Sequence, residues 1–314
     1  MTAAFETSGT AASSAGHPHP RETLDRCALR AQLRGDPMLG TAFPADRVLL
    51  VEQPGPWGRA GLRESRFEPA VAAAVENRAG AAGLRVLAIR RPGRTPRDAV
   101  RRWGMADCRR GREALTWGRF HRDADLLDLP LDGSTGTPDD HPVYLVCAHS
   151  KHDTCCALRG RPVAAALLDT RPGRVWECSH VGGDRFAANV LVLPLGLLYG
   201  RVLPFAAREF VEATEDGEVV GALLRGRVGL PPVAQAALAF AYEHLAVRRV
   251  KDVHVVSTSP VVDGHAEVRV AGPHGLIAIT VLIERTPAVG LTCANPAPGA
   301  FWAFRPVTAL AVDP

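Results

Sequence analysis

The sequence predicts an α/β protein built from two lobes and closed by a β-rich C-terminal extension. Three observations lead there. The chain has 314 residues, 46% hydrophobic and 22% charged, the balance of a folded soluble protein with room for two ordinary domains. Its apolar residues fall into runs of strand length that alternate with Ala-rich stretches at helical spacing. A turn-rich segment, Asp132-Gly-Ser-Thr-Gly-Thr-Pro-Asp-Asp140, divides the chain near its middle.

Residues 1–20, almost entirely Ala, Ser, Gly, Thr, His and Pro, have little to bury and read as a disordered tail. The N-terminal lobe occupies 21–140. An amphipathic stretch (Leu24, Cys27, Ala28, Ala31, Leu33) precedes Arg47-Val-Leu-Leu-Val-Glu52, which has the length and branching of a buried strand and is stopped by the turn Gln53-Pro-Gly-Pro-Trp-Gly58. Pro69 through Ala82 is Ala-rich at helical spacing and ends on Gly83. A second strand, Leu84-Arg-Val-Leu-Ala-Ile89, completes a β-α-β unit with parallel strands.

The second lobe, 141–247, opens with the strand Pro142-Val-Tyr-Leu-Val-Cys-Ala148, which delivers Cys147 at its C-terminal end. A helix from Cys156 to Leu168, interrupted by Pro162, leads to the short strand Arg174–Cys178. A hairpin follows over Asn189–Val202, turning around Pro194 to Gly196. Helices are expected over Phe205–Thr214 and from Pro231-Pro232 to about Leu245, with Pro in the first turn. The order β-α-β-β-α is that of a thioredoxin-like domain. Residues 248–314 alternate without a strong helix and read as β-hairpins packing on the second lobe. Each lobe opens with a strand, a Cys- or Gly-bearing loop and a helix, which makes the N-terminal lobe a candidate second thioredoxin-like unit.

Charge and cysteine usage narrow the function. No run approaches the length of a membrane span, and the start has neither a basic nor an apolar leader region, so a cytoplasmic protein is expected. Seven cysteines (27, 108, 147, 155, 156, 178 and 293) are odd in number and clustered, which points to metal, cluster or redox chemistry rather than a disulfide framework. Cys27, Cys108 and Cys293, each alone among apolar neighbours, read as small buried hydrophobes. Eleven Arg between Arg90 and Arg122 form a solvated face suited to an acidic partner. No Phe or Tyr interleaves with them except Phe120 and no DNA-binding motif frames them, so they do not indicate nucleic acid.

The ligand-type residues are concentrated in the second lobe. Cys147-x8-Cys156 is followed, 23 residues later, by His180-x3-Asp184. Two pairs of donors, each in a loop beyond a strand, suit a buried metal or cluster, because one loop rarely supplies a whole coordination shell. Thiolates hold iron tightly, and an imidazole in place of a thiolate raises a cluster's potential. The turn His180-Val-Gly-Gly-Asp184 permits positive φ and close backbone approach. His149 and His152 lie inside the Cys loop as further ligands, proton relays or plain surface. Arg185 is read either as a site for an anionic partner or as an ion-pair partner of Asp184. Asn189, Tyr199, Arg201 and the Trp57, Arg59, Arg63 loop are read as structural.

At Cys147-Ala-His-Ser-Lys-His-Asp-Thr-Cys-Cys156, Ser179-His-Val-Gly-Gly-Asp-Arg-Phe-Ala-Ala-Asn-Val190 and Leu198-Tyr-Gly-Arg201 the chain resembles the sucrase/ferredoxin-like proteins, which are thioredoxin-like ferredoxins. Looser similarity extends through Glu52–Gly58 and Val86–Gly93. In that family Cys-x8-Cys and His-x-Gly-Gly-His ligate a [2Fe-2S] cluster. The resemblance therefore implies Cys147 and Cys156 on one iron and His180 on the other. Here the second His is Asp184, a harder ligand; Cys178 and then Cys155 are its rivals as fourth ligand. The expected function is electron transfer with a redox partner protein, with no nucleic acid and no membrane, and a carrier rather than a stand-alone catalyst. Two alternatives remain open: a cluster-free thiol oxidoreductase using Cys155 and Cys156, and a structural Zn site. The adjacency of those two cysteines argues against the first, since it lacks the Cys-x-x-Cys spacing. No paired carboxylates with flanking aromatics support glycoside hydrolysis, and no G-x-G-x-x-G follows a strand.

Overall fold

The structure, a computed structural model, describes residues 26–93, 100–295 and 297–312. The predicted N-terminal tail lies outside the described residues. After helix α1 (Cys27–Leu33), the first lobe runs β1 (Arg47–Glu52), α2 (Pro69–Ala81), β2 (Leu84–Arg90), β3 (Arg101–Asp107), β4 (Ala114–Phe120) and a short edge strand β5 (Thr137–Pro138). The second lobe runs β6 (Val143–Cys147), α3 (Thr154–Thr170), β7 (Val175–Cys178), β8 (Val190–Leu193), β9 (Leu197–Tyr199), α4 (Ala207–Glu215), β10 (Leu224–Arg227) and α5 (Pro232–His244). The extension contributes β11 (His254–Thr258), β12 (His265–Gly272), β13 (Gly275–Arg285), β14 (Val289–Gly290), β15 (Pro298–Gly299) and β16 (Trp302–Val312).

Strands β1 to β10 form one mixed sheet in the order β10-β9-β8-β6-β7-β2-β1-β3-β4-β5. The order is a near-palindrome. In the first lobe β1 and β2 are parallel across the α2 crossover, β3 runs antiparallel beside β1, and β4 antiparallel beside β3. In the second, β6 and β7 are parallel across α3, with β8 antiparallel beside β6 and β9 beside β8. Both lobes therefore carry the four-strand thioredoxin-like arrangement, and they meet where β2 pairs antiparallel with β7 through Ile89↔Cys178 and Arg90↔Glu177.

Side-chain alternation builds the layers. Leu49 and Val51 point toward α2, where Val71, Ala72, Val75 and Ala79 are buried with them. Tyr144 and Val146 point toward Val163, Ala164 and Leu167 of α3. The alternate residues, Val48, Leu50, Leu87 and Ile89 in one lobe and Leu145, Cys147, Trp176 and Cys178 in the other, form a single core that continues across the β2–β7 seam. Each aliphatic side chain fully buried in this way contributes about 1.5–3 kcal/mol.

Helix α3 runs through Pro162 instead of breaking there. The proline forfeits one backbone hydrogen bond, and burial of Val163, Ala164 and Leu167 immediately after it offsets that loss. The β3–β4 hairpin was not apparent in the sequence, because its arginines obscure the alternation. Much of the predicted Arg face is engaged internally. Arg101 pairs with Asp123 at 2.6 Å and lies over Phe120, Arg90 pairs with Glu177 at 2.6 Å, and Arg91 stacks on Trp176. Arg94 and Arg97 lie outside the described residues. The extension forms a four-stranded sheet, β11-β12-β13-β16, whose buried Val268, Val270, Ile279 and Val281 join the α3–α5 core of the second lobe.

Candidate metal or cluster site

The C-terminal ends of β6 and β7 place two loops side by side. Cys147 and Cys178 sit opposite each other in the parallel register, and Cys147 N donates to Asn189 O at 3.0 Å. Asp153 caps α3 by accepting from Cys155 N at 2.8 Å, so the helix starts at once and turns Cys156 back toward Cys147. Close approach of α3 depends on Gly160, where a Cβ would collide with the Cys147 carbonyl oxygen.

Beyond β7, Gly183 adopts φ 72° and leads into a single helical turn over Asp184–Phe186. A Cβ on Gly183 would lie 2.5 Å from Nη2 of Arg225, which is 1% exposed. This guanidinium donates to Gly182 O and Asn189 Oδ1, and to Thr41 Oγ1 and O. Asn189 in turn donates to Gly183 O at 2.9 Å. Gly183 therefore lets a buried cation pass beneath the turn and fix it. Arg225 belongs to β10, far from the motif in sequence, and nothing local marked it.

The donor atoms of Cys147, Cys156 and His180 lie within 4.8 Å of one another, and so do those of His152, His180 and Asp184. Asp184, 4% exposed, links the groups: its Oδ1 accepts from Cys156 Sγ at 3.1 Å and lies 3.1 Å from His180 Nδ1. The predicted residues Cys147, Cys156, His180 and Asp184 are thus gathered at one point. His152 joins them, its ring stacked on His180 at 3.6 Å between centroids.

The charges are mutually dependent. The Cys156 thiol beside it, and then the His180 imidazole, hold Cys147 well below the usual thiol range despite burial. The hydrogen bond to Cys147 pushes Cys156 well above it. Burial opposes charge on His180, but Asp184 and Cys147 outweigh it and raise the group to about 9. Burial likewise opposes ionisation of Asp184, yet His180 brings it below its ordinary value.

The donor set fits a thiophilic metal or cluster. Nδ1 of His180 is buried and lies 3.1 Å from Asp184 Oδ1. Cys147, Cys156 and His180 make one three-residue donor group, and His152, His180 and Asp184 a second that shares His180.

The remaining candidates separate. Cys178 is fully buried beside Cys147 but belongs to neither donor group. Cys155 turns away from Cys156 and meets Cys27 and Cys293, each 3.5 Å or less from a polar atom of this second group. The isolated hydrophobic roles expected for Cys27 and Cys293 are therefore corrected: the helix start and the C-terminal segment bring them together. Cys108 is a buried core residue, as expected. His149 is 2% exposed, not surface. It bonds Gly58 O at 2.6 Å and accepts from His180 N at 3.2 Å, which makes it a tie between the two lobes. Arg185 does not pair with Asp184; it lies 3.5 Å from Asp36 and over the Phe186 and Phe301 rings. Asn189, Tyr199 and Arg201 are structural, Tyr199 packing edge-on against Phe210 and Arg201 donating to Asp36 O.

The sucrase/ferredoxin-like pattern matches residues 38–226, which contain the whole of this site. The chain belongs to that family. Among curated relatives it is 30% identical over 100 residues to "Altered inheritance of mitochondria protein 32" of Saccharomyces kudriavzevii, and 29% to the Saccharomyces cerevisiae protein of that name. These alignments cover 27% of this chain and 32% of each relative, so the chain spans about a third of the length of those relatives. A solved thioredoxin-like [2Fe-2S] ferredoxin from Aquifex aeolicus is 25% identical, with 30% of this chain and 97% of that chain covered and a TM-score of 0.26. Among the described residues no helix is long and apolar enough to cross a membrane.

Proposed function

We propose that this sucrase/ferredoxin-like protein is an electron carrier that holds a [2Fe-2S] cluster through Cys147, Cys156, His180 and Asp184. The observation that carries the reading is the approach of these four side chains, from two loops, in overlapping donor groups that share His180. The cluster supplies one-electron chemistry when bound. The chain's own residues supply the rest. Cys147 and Cys156 provide thiolates from the strand end and the first turn of α3, and Arg225 and Asn189 hold the second loop in register. Trp57 of the first lobe packs edge-on against His149 of the second, with their rings 5.8 Å apart. Asp184 takes the family's second histidine position, and His152 competes with it from the opposite loop.

Anaerobically purified protein is expected to contain iron and acid-labile sulfide, to absorb in the visible, and to give an electron paramagnetic resonance signal on one-electron reduction. Colourless, iron-free protein after anaerobic reconstitution refutes the proposal. Comparing that signal in Asp184→Ala, Asp184→His and His152→Ala assigns the fourth ligand: the first two change it and the third leaves it if Asp184 binds iron. A single zinc ion is the second reading, favoured by the mutual 4.8 Å spacing of Cys147, Cys156 and His180. Zinc as the sole metal in protein from iron-replete cells selects it. A Cys155–Cys156 dithiol is disfavoured, since those side chains enter different groups.

A further inference from the structure

On the far side of the first turn of α3, three cysteines and a carboxylate form a second donor group. Cys27 opens α1, Cys155 and the cap Asp153 begin α3, and Cys293 lies in the segment between β14 and β15. Their ligand atoms all fall within 4.8 Å of one another. Cys155 Sγ lies 3.5 Å from Cys27 Sγ and 3.5 Å from Cys293 Sγ, and Cys27 Sγ is 3.8 and 3.9 Å from the two Asp153 oxygens. Cys27, Asp153 and Cys155 are 0%, 1% and 1% exposed.

We infer that Cys27, Cys155, Cys293 and Asp153 form a structural site for a single thiophilic divalent cation of the zinc class. Three thiols cannot all be paired as disulfides, and a tetrahedral ion with Zn–S near 2.3 Å sets sulfurs about 3.8 Å apart, close to the spacing seen. Three of the four donors are buried and Cys293 is half-buried, and backbone amides orient the carboxylate. Asp153 is already oriented by Cys155 N at 2.8 Å, Cys293 N at 2.6 Å and Ala294 N at 3.3 Å, and Cys27 N donates to Cys293 Sγ at 3.2 Å. On binding, the three thiols release their protons to solvent and the ionised carboxylate completes the shell. The ion then joins three segments: the N-terminal helix, the start of α3, and the C-terminal extension. Among the described cysteines this accounts for the three that the first site does not use and that are not buried singly in the shared core.

The test uses the full chain carrying Cys147→Ser and Cys156→Ser, which removes the first site, together with wild-type protein. The doubly substituted chain is expected to retain one zinc per chain by elemental analysis. On exchange it should bind one cobalt(II), with thiolate-to-cobalt charge-transfer and tetrahedral d–d absorption. Adding Cys27→Ser or Cys293→Ser should abolish the stoichiometric metal, while either change made in the wild-type background leaves the visible absorption of the first site in place. If these variants fold poorly, wild-type protein decides: zinc in addition to iron, released by a thiol-blocking mercurial, supports the site. Absence of zinc and of cobalt absorption overturns it, as does a disulfide among Cys27, Cys155 and Cys293 in protein prepared under reductant.

Discussion

The two halves of the large sheet share a topology and differ in what their crossover loops carry. After β1 the chain enters Gln53-Pro-Gly-Pro-Trp-Gly58, without a cysteine or histidine before α2; after β6 it enters the loop containing His149 and His152, with Cys147 and Cys156 at its ends. The strand ends match in position but not in chemistry, Glu52 closing β1 and Cys147 closing β6. The first-lobe loop instead becomes a wall, with Gly58 O bonded to His149 and Trp57 against its ring. One copy of the fold carries the candidate donors, and the other packs against them. A site built at the seam of two similar units needs donors on only one of them.

The sharpest break in this comparison is at the strand ends. Cys147→Ser should abolish the visible absorption of the reconstituted protein entirely, while Glu52→Gln leaves it unchanged, as read by spectra and iron content. Next comes the buried cation beneath the second lobe's Gly182-Gly183 turn. Arg225→Met strands the acceptors at Gly182, Asn189 and Thr41, and is expected to cost about 3–5 kcal/mol in denaturant unfolding. The crossover helices give a paired test with opposite signs. Gly160→Ala forces a methyl into the Cys147 carbonyl and should destabilise by about 1–3 kcal/mol. Gly80→Ala, at a position in α2 with open space around it, should stabilise by about 0.5–1 kcal/mol.

The smallest effect is at Glu52. Burial raises its carboxyl above the ordinary 4.5, more than the Arg102 backbone hydrogen bond and nearby arginines lower it. The native state therefore binds the proton more tightly than the unfolded chain. Its contribution to stability is full below 4.5 and is lost as pH rises through the higher native value. Glu52→Gln should flatten that decline in unfolding measurements across this interval, and an unchanged slope would show that the side chain reaches water.

Much of the site was legible because its residues are close in sequence and chemically distinctive. The Cys147-x8-Cys156 and His180-x3-Asp184 spacings mark two loops, and a strand before each loop is enough to set them side by side. The β-α-β order of each lobe, the β8–β9 hairpin and the α4 and α5 helices follow from periodicity and turn chemistry in the same way. The β3–β4 hairpin escaped because Arg101 and Arg102 occupy strand positions, and their stems and partners, Phe120 and Asp123 for Arg101, are contributed by residues well downstream. Arg185 was open to two readings from sequence, and the choice of Asp36 and two aromatic rings as its neighbours depended on where α1 and the extension fall.

By itself the sequence determined which residues could act as donors, that most of them lie in one lobe, and the local geometry of each loop, since these depend on residues within a few positions of one another. Tertiary structure alone decided that the lobes share one sheet, that Arg225 lies beneath the Gly182-Gly183 turn, and that neighbouring Cys155 and Cys156 serve separate groups. The physical reason is the same throughout. The helical start fixed by Asp153 directs successive side chains to different sides: Cys156 meets the nearby Cys147 side, while what Cys155 meets, Cys27 and Cys293, is set by packing between segments more than a hundred residues apart.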